Sequence, residues 1–306
     1  MFERLLHLAI QLAVTFALPP LLLGVIAKTK AAFAGRIGPP VLQPYYDLAK
    51  LARKGSVFST TTTWIFRASP VVGVATALLA SLLLPLGGHD APISFTGDLV
   101  LFAYLFGLAR FFTVSAALDT GSAFEGMGGA REATFSCLAE PALFLGLLVL
   151  VKRSGTLTLS TMLGAAVPGQ WLSSGAALVL VVASLFVVLL AENCRVPFDD
   201  PNTHLELTMI HEVMVLDHSG PALGMIFYGA ALKLFVLGAI VVGIVVPVRT
   251  GSYALDLGLF VAGMLLLAVL VGVVESFMAR LRLRQVPSLL VGACLLSAFA
   301  ILLASR

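Results

Sequence analysis

The stretch Ala191-Glu192-Asn193-Cys194-Arg195-Val196-Pro197-Phe198-Asp199-Asp200-Pro201-Asn202-Thr203-His204-Leu205-Glu206-Leu207-Thr208-Met209-Ile210-His211-Glu212-Val213-Met214-Val215-Leu216-Asp217-His218-Ser219-Gly220-Pro221 is unlike the rest of the chain. Six of the sixteen acids (Glu192, Asp199, Asp200, Glu206, Glu212, Asp217) and three of the five histidines (His204, His211, His218) fall in these 31 positions, between long apolar runs. Ionisable groups this dense beside a bilayer are costly to leave unpaired, so they mark function.

Outward from this stretch, the chain is 59% hydrophobic and only 11% charged. Eight apolar runs approach the ~20 residues that cross a hydrocarbon core. They lie at about Leu5–Ile26, Pro70–Leu86, Leu99–Leu118, Ala133–Val151, Gly175–Leu190, Leu223–Val246, Leu257–Val274 and Leu289–Ser305. Runs of this length without alternation exclude strands, and only helices or closed barrels satisfy their own backbone in lipid. The expected fold is an all-α integral membrane protein, one polytopic domain over residues 1–306 with eight transmembrane helices. The first run is too long for a secretory h-region, and Lys28 and Lys30 separate it from the cleavage-like Ala32 and Ala34, so it reads as a retained helix.

Connections one, three, five and seven (about 27–69, 119–132, 191–222 and 275–288) carry twelve Lys and Arg residues, against five on the other side with both termini. The positive-inside rule makes these loops cytoplasmic and puts both termini outside. The net charge of +3 includes no basic patch, which excludes nucleic acid as a partner. Cys137, Cys194 and Cys294 form no Cys-x-x-Cys pair, so no cofactor or iron-sulfur cluster is expected on this chain.

The first cytoplasmic loop turns at Gly35-Arg36-Ile37-Gly38-Pro39-Pro40, and Tyr45 to Lys50 can form a short amphipathic helix. Such a helix lies on headgroups or docks a soluble partner. Asp119 to Glu132 is glycine-rich but lacks the lysine and strand of a phosphate loop. Arg110, inside the third span, must snorkel or pair. Glu140 precedes Pro141, which removes a helix donor and favours a kink beside the carboxylate. Glu140 is thus a structural carboxylate or a proton-relay member, and Lys233 is a partner of a buried acid or a relay site.

In the central stretch, Glu192 and Arg195 can pair if the fifth span's helix continues. Pro197 stops that helix. Asp199-Asp200-Pro201 reads as the cap and first turn of a second amphipathic helix, from Asn202 to about Leu216, with one aspartate structural. His204, Thr208, His211 and Val215 would share a face of it, with Glu212 beside His211. There is no His-Glu-x-x-His, so spacing gives no metal site. Capping and solvated-surface roles account for part of the pattern, and a chain of titratable groups passing protons accounts for more of it.

Glu192-x-x-Arg195-x-Pro197-Phe198-Asp199, with Glu206-Leu207 and Ser219-Gly220, resembles the signature of subunit 1 of respiratory complex I and its relatives in membrane-bound NiFe hydrogenases. Arg36-x-Gly38-Pro39, Leu42-Gln43-Pro44, Asp47, Gly129-Ala130-Arg131, Glu140 and Phe277-Met278-Ala279-Arg280-Leu281-Arg282 match the same family in order. Arg110-Phe111-Phe112 followed by Leu118-Asp119-Thr120-Gly121-Ser122 is similar to the formate hydrogenlyase and hydrogenase-4 branch. Complex I carries a run of glutamates before Glu-Leu that helps shape its quinone chamber. Asp200, Asn202, Thr203 and His204 stand there instead, which argues against quinone reduction.

The resemblance implies a non-catalytic heel subunit of a multisubunit oxidoreductase in a bacterial or archaeal cytoplasmic membrane. It would hold an iron-sulfur arm and couple that arm's reaction to proton or sodium translocation. The implied partners are hydrogenase-like large and small subunits, an iron-sulfur subunit and antiporter-like membrane subunits; the iron-sulfur clusters, and a NiFe centre where one is kept, belong to them. Arg36, Gly38, Pro39, Gln43, Asp47 and Arg131 would face the arm. Glu192, Arg195 and Asp199 would sense its charge, with Glu140, Glu206, Glu212, Asp217, Lys233 and Arg110 completing the proton path. The rival readings are a quinone-site subunit of a complex I-type enzyme, a stand-alone transporter and a structural anchor.

Overall fold

Eight helices are long and apolar enough to cross a membrane in the computed structural model, which describes residues 2–87, 89–164, 167–199, 209–247 and 250–305. They are α1 (Phe2–Phe33), α3 (Trp64–Leu82), α4 (Asp98–Asp119), α5 (Ala123–Ser154), α7 (Val167–Glu192), α8 (Gly220–Val245), α9 (Tyr253–Phe277) and α10 (Val286–Leu303). Between them lie α2 (Gln43–Ala52), α6 (Leu159–Leu163) and a one-turn 3-10 helix, Glu212–Val215. There is no strand among the described residues, and each expected span coincides with one long helix.

Local sequence sets several helix ends. Proline stands in the first turn of α2, α8 and α10, where a missing N–H costs nothing. Thr63 caps α3 by accepting the Ile65 amide at 3.3 Å. α5 ends at Gly155 in the left-handed region (φ 70°), after Lys152 and Arg153, which complement the helix dipole. α3 packs on α4 and α8, α10 on α5 and α7, and α1 on α8 and α9. The core between them is Leu, Val, Ala and Phe, including the fully buried Phe66, Phe102, Phe198 and Phe235.

Three differences from the sequence expectations bear on the site. α5 begins at Ala123, ten residues before the expected Ala133, so Arg131 and Glu132 are helical and the third connection shrinks to a tight turn. α5 also runs unbroken across Pro141. Thirdly, within its described part the helix expected from Asn202 to Leu216 is absent. Arg131 Nη1 donates to the Met209 carbonyl at 2.7 Å, and the Ile210 amide donates to Asp199 Oδ2 at 2.8 Å. Backbone groups that an α-helix would use are thereby taken by side chains, and only the 3-10 turn follows.

The first loop is seated tightly on α1. A Cβ on Gly24 would lie 1.8 Å from the Val41 carbonyl oxygen, a backbone atom that cannot rotate away. Gly24→Ala is therefore expected to push the segment before α2 off α1, at a cost of about 1–3 kcal/mol. Faster limited proteolysis between Ala34 and Leu42, with a lower unfolding midpoint, would show it; wild-type cleavage would contradict it.

Candidate functional site

α4 carries Arg110 roughly two and a half turns before its C-terminal end, at a point where α5, α7 and α8 converge. Its guanidinium serves three carboxylates. Nε donates to Glu132 Oε1 at 3.0 Å, Nη2 lies 2.7 Å from both oxygens of Glu192, and Nη1 meets Glu140 Oε1. Glu132 and Glu140 are eight apart and so share one face of α5. Lys233, midway along α8, reaches the same Glu192 at 2.6 Å. A planar fork with five donors suits this task, whereas a lysine head would not. Charge-assisted hydrogen bonds offset the desolvation of Glu132 and Glu192, whose side chains are 11% and 6% exposed.

A second branch leaves Glu132. Its Oε2 lies 3.4 Å from His211 Nδ1, and the same ring nitrogen is 3.1 Å from Cys194 Sγ. Burial opposes a charge on His211, but the neighbouring Cys194 and Glu132 outweigh it and hold the imidazole well above its usual pKa. Burial raises the Cys194 thiol pKa. Cys194 has a left-handed backbone (φ 46°), in the turn that closes α7.

Both branches border a cavity of about 630 Å³, within the range that accommodates small organic ligands. Arg110, Glu132, Lys233, Cys194 and His211 supply its polar wall, and residues of α3, α4 and α8 supply an apolar one. His218 lies on its border, stacked on Phe66 at 3.8 Å between ring centroids, and burial lowers its pKa to about 4, so this histidine is neutral at pH 7.

Arg195 does not pair with Glu192, because α7 ends at Glu192 and the chain turns. It contacts Glu275 at 3.5 Å, and Lys30 binds Glu275 at 2.9 Å. Asp199 binds Arg280 at 2.9 Å, and Leu281 donates to the Pro197 carbonyl, so the turn after α7 is locked to the turn after α9. Glu212 opens the 3-10 turn at the cavity edge. Asp217 is exposed, and its backbone amide donates to Glu125 Oε1. Glu206 lies outside the described residues, as do Asp200 and His204. Arg36, Gly38 and Pro39 are exposed, and Gln43 donates to Asp47 one turn along α2. Arg131, expected from the sequence to join them, reaches back to Met209. The sequence marks His211 only as one of a titratable helix face and does not single out Glu132 or Cys194, although the eight-residue spacing of Glu132 and Glu140 is an available signal.

Comparison with known proteins places this arrangement. The model of the NADH dehydrogenase family matches residues 6–305. The chain belongs to that family. Within it, the chain is similar to formate hydrogenlyase subunit 4 of Escherichia coli (strain K12), 35% identical over 295 residues and 92% of each chain. Hydrogenase-4 component C of the same organism is 32% identical over 276 residues, which cover 88% of this chain and 86% of that one. A chain in the structure of a membrane-bound sulfane sulfur reductase, an archaeal respiratory membrane complex, superposes with a TM-score of 0.81 over 99% of both chains at 21% identity, a likeness of fold. The NADH dehydrogenase family member described here is thus a multi-pass, complex I-like membrane protein whose charged residues converge between α4, α5, α7 and α8.

Proposed function

We propose that the chain is the membrane coupling subunit of an energy-converting NiFe hydrogenase or hydrogenase-related complex. It anchors an iron-sulfur peripheral arm and links the arm's redox reaction to proton or sodium translocation by antiporter-like neighbours. The observation that carries this reading is the Arg110 cluster beside a cavity that also touches Asp47 of α2 and Asp199 of the central turn. Redox change in a docked arm alters charge near this wall. One charge a few ångströms away changes a carboxylate's proton affinity roughly 10- to 1000-fold, enough to move a proton along Glu140, Glu192 and Lys233. The similarity to formate hydrogenlyase subunit 4 and hydrogenase-4 component C supports the hydrogenase branch.

In this reading the exposed Arg36, Gly38, Pro39 and Asp47, with the half-buried Gln43, form the docking edge on the cytoplasmic side of the inner membrane, and both termini lie outside. Affinity purification of the full chain from its native membranes in mild detergent is expected to bring down hydrogenase-like large and small subunits, an iron-sulfur subunit and antiporter-like subunits. Recovery of the chain alone, active as a carrier in liposomes, would overturn the proposal. The cavity's size and apolar wall favour a second reading, a quinone site. Inhibition of the purified complex by quinone analogues would select that one, whereas the hydrogenase reading expects insensitivity.

A further inference from the structure

Three side chains from separate segments point at one place beside the cavity: Glu132 from α5, Cys194 from the turn after α7, and His211 from the turn before the 3-10 helix. One ligand atom from each, a carboxylate oxygen, Sγ and a ring nitrogen, lies within 4.8 Å of the others. The closer pairs are His211 Nδ1 to Cys194 Sγ at 3.1 Å and His211 Nδ1 to Glu132 Oε2 at 3.4 Å. Metal–ligand lengths of about 2.0–2.3 Å in a tetrahedron give ligand–ligand edges of about 3.3–3.6 Å. The His211–Glu132 edge is therefore already at a coordinated length, the His211–Cys194 edge is a few tenths of an ångström short of one, and the third lies within 4.8 Å.

The direction of the contacts excludes the obvious alternative. A thiol–imidazole–carboxylate relay uses opposite ring nitrogens, one facing the nucleophile and the other the orienting acid. Here Cys194 and Glu132 both address Nδ1, and one nitrogen cannot serve two partners as a relay does. Convergence on one point is what ligands of a single ion do.

We propose that Glu132, Cys194 and His211 form a binding site for one divalent cation of the zinc class, with the fourth position open to the cavity. Thiolate, imidazole and carboxylate together suit a borderline-soft ion and not magnesium or calcium, which take oxygen shells. Three ligands with an open fourth position match the sites in which zinc keeps an exchangeable water. Glu132 is oriented from behind, because Arg110 holds its other oxygen at 3.0 Å. The local charge also accommodates the ion. Glu132, Glu140, Glu192 and a Cys194 thiolate supply four negative charges against Arg110, Lys233 and a divalent ion. The ion pins α5 to the turn after α7 and to the segment just before the 3-10 helix at the cavity wall. It does not depend on the coupling role, and it requires no electron transfer.

The test uses the purified full chain in detergent, stripped with a chelator and titrated with Co²⁺ as a spectroscopic stand-in for Zn²⁺. One Co²⁺ per chain is expected, with thiolate-to-cobalt charge-transfer absorption that persists in a Cys137→Ser/Cys294→Ser variant and vanishes in Cys194→Ser. His211→Ala is expected to weaken Zn²⁺ binding at least tenfold in competition with a chromophoric chelator. Absence of the band in the wild type, or its survival in Cys194→Ser, overturns the proposal. Alkylation mapping on the wild type covers the case of a variant that does not fold. Zn²⁺ that protects Cys194 supports the site, and Zn²⁺ that protects only Cys137 or Cys294 overturns it.

Discussion

Arg110→Leu is expected to destabilise the protein by about 3–5 kcal/mol, enough to prevent the chain from accumulating in the membrane. The size follows from what the guanidinium holds. Glu132, Glu140 and Glu192 all contact it, from two different helices, and Leu offers none of them a donor. Lys233 still reaches Glu192, and His211 still faces Glu132, but Glu140 loses the contact described for it. The cost falls mainly on Glu132 and Glu192, 11% and 6% exposed, which stay desolvated while each loses its guanidinium partner; Glu140 is 40% exposed and adds less. Arg110→Lys should recover only part of the loss, because one compact ammonium cannot reach three carboxylates at once. Abundance in membranes and the unfolding midpoint in detergent measure both variants. A wild-type midpoint for Arg110→Leu would mean that the cluster is solvated and contributes little.

The membrane-spanning architecture is legible in the sequence because lipid leaves a chain few options, and eight apolar runs become eight helices. The charged cluster is legible only as separate members. Arg110, Glu140, Glu192 and Lys233 each stand out as an ionisable group in or beside an apolar run. Which of them meet is decided by helix packing, and Glu192 pairs with residues 82 positions before it and 41 after it and not with nearby Arg195. Glu132 is hidden by a boundary: apolarity begins at Ala133, but the helix begins at Ala123. Glycines at 126, 128 and 129 look like a loop, yet Gly128 is where the 3-10 turn presses on α5, with Val213 Cγ1 2.4 Å from any added Cβ. Spacing gives no metal site because it reveals only ligands near one another in sequence, while Glu132, Cys194 and His211 come from three segments. The helix expected after Asn202 fails, within its described part, for a related reason: Arg131 and Asp199 claim its backbone from outside the segment.

Glu192→Gln separates function from folding where Arg110→Leu does not. The substitution keeps size and an oxygen acceptor for Arg110 and Lys233, and removes one negative charge. Glu132 and Glu140 still face Arg110, and the substituted amide oxygen still accepts from Lys233, so both cations keep partners. The complex is therefore expected to assemble at normal levels. Under the proposed coupling role, ion translocation by that complex in proteoliposomes is expected to fall below detection, because Glu192 is the carboxylate that Arg110 and Lys233 share, joining α4, α7 and α8. Redox turnover of the arm should persist uncoupled, insensitive to an imposed ion gradient. Coupled translocation at the wild-type rate in an assembled Glu192→Gln complex would remove Glu192 from the path, and loss of assembly would instead make the cluster a structural brace.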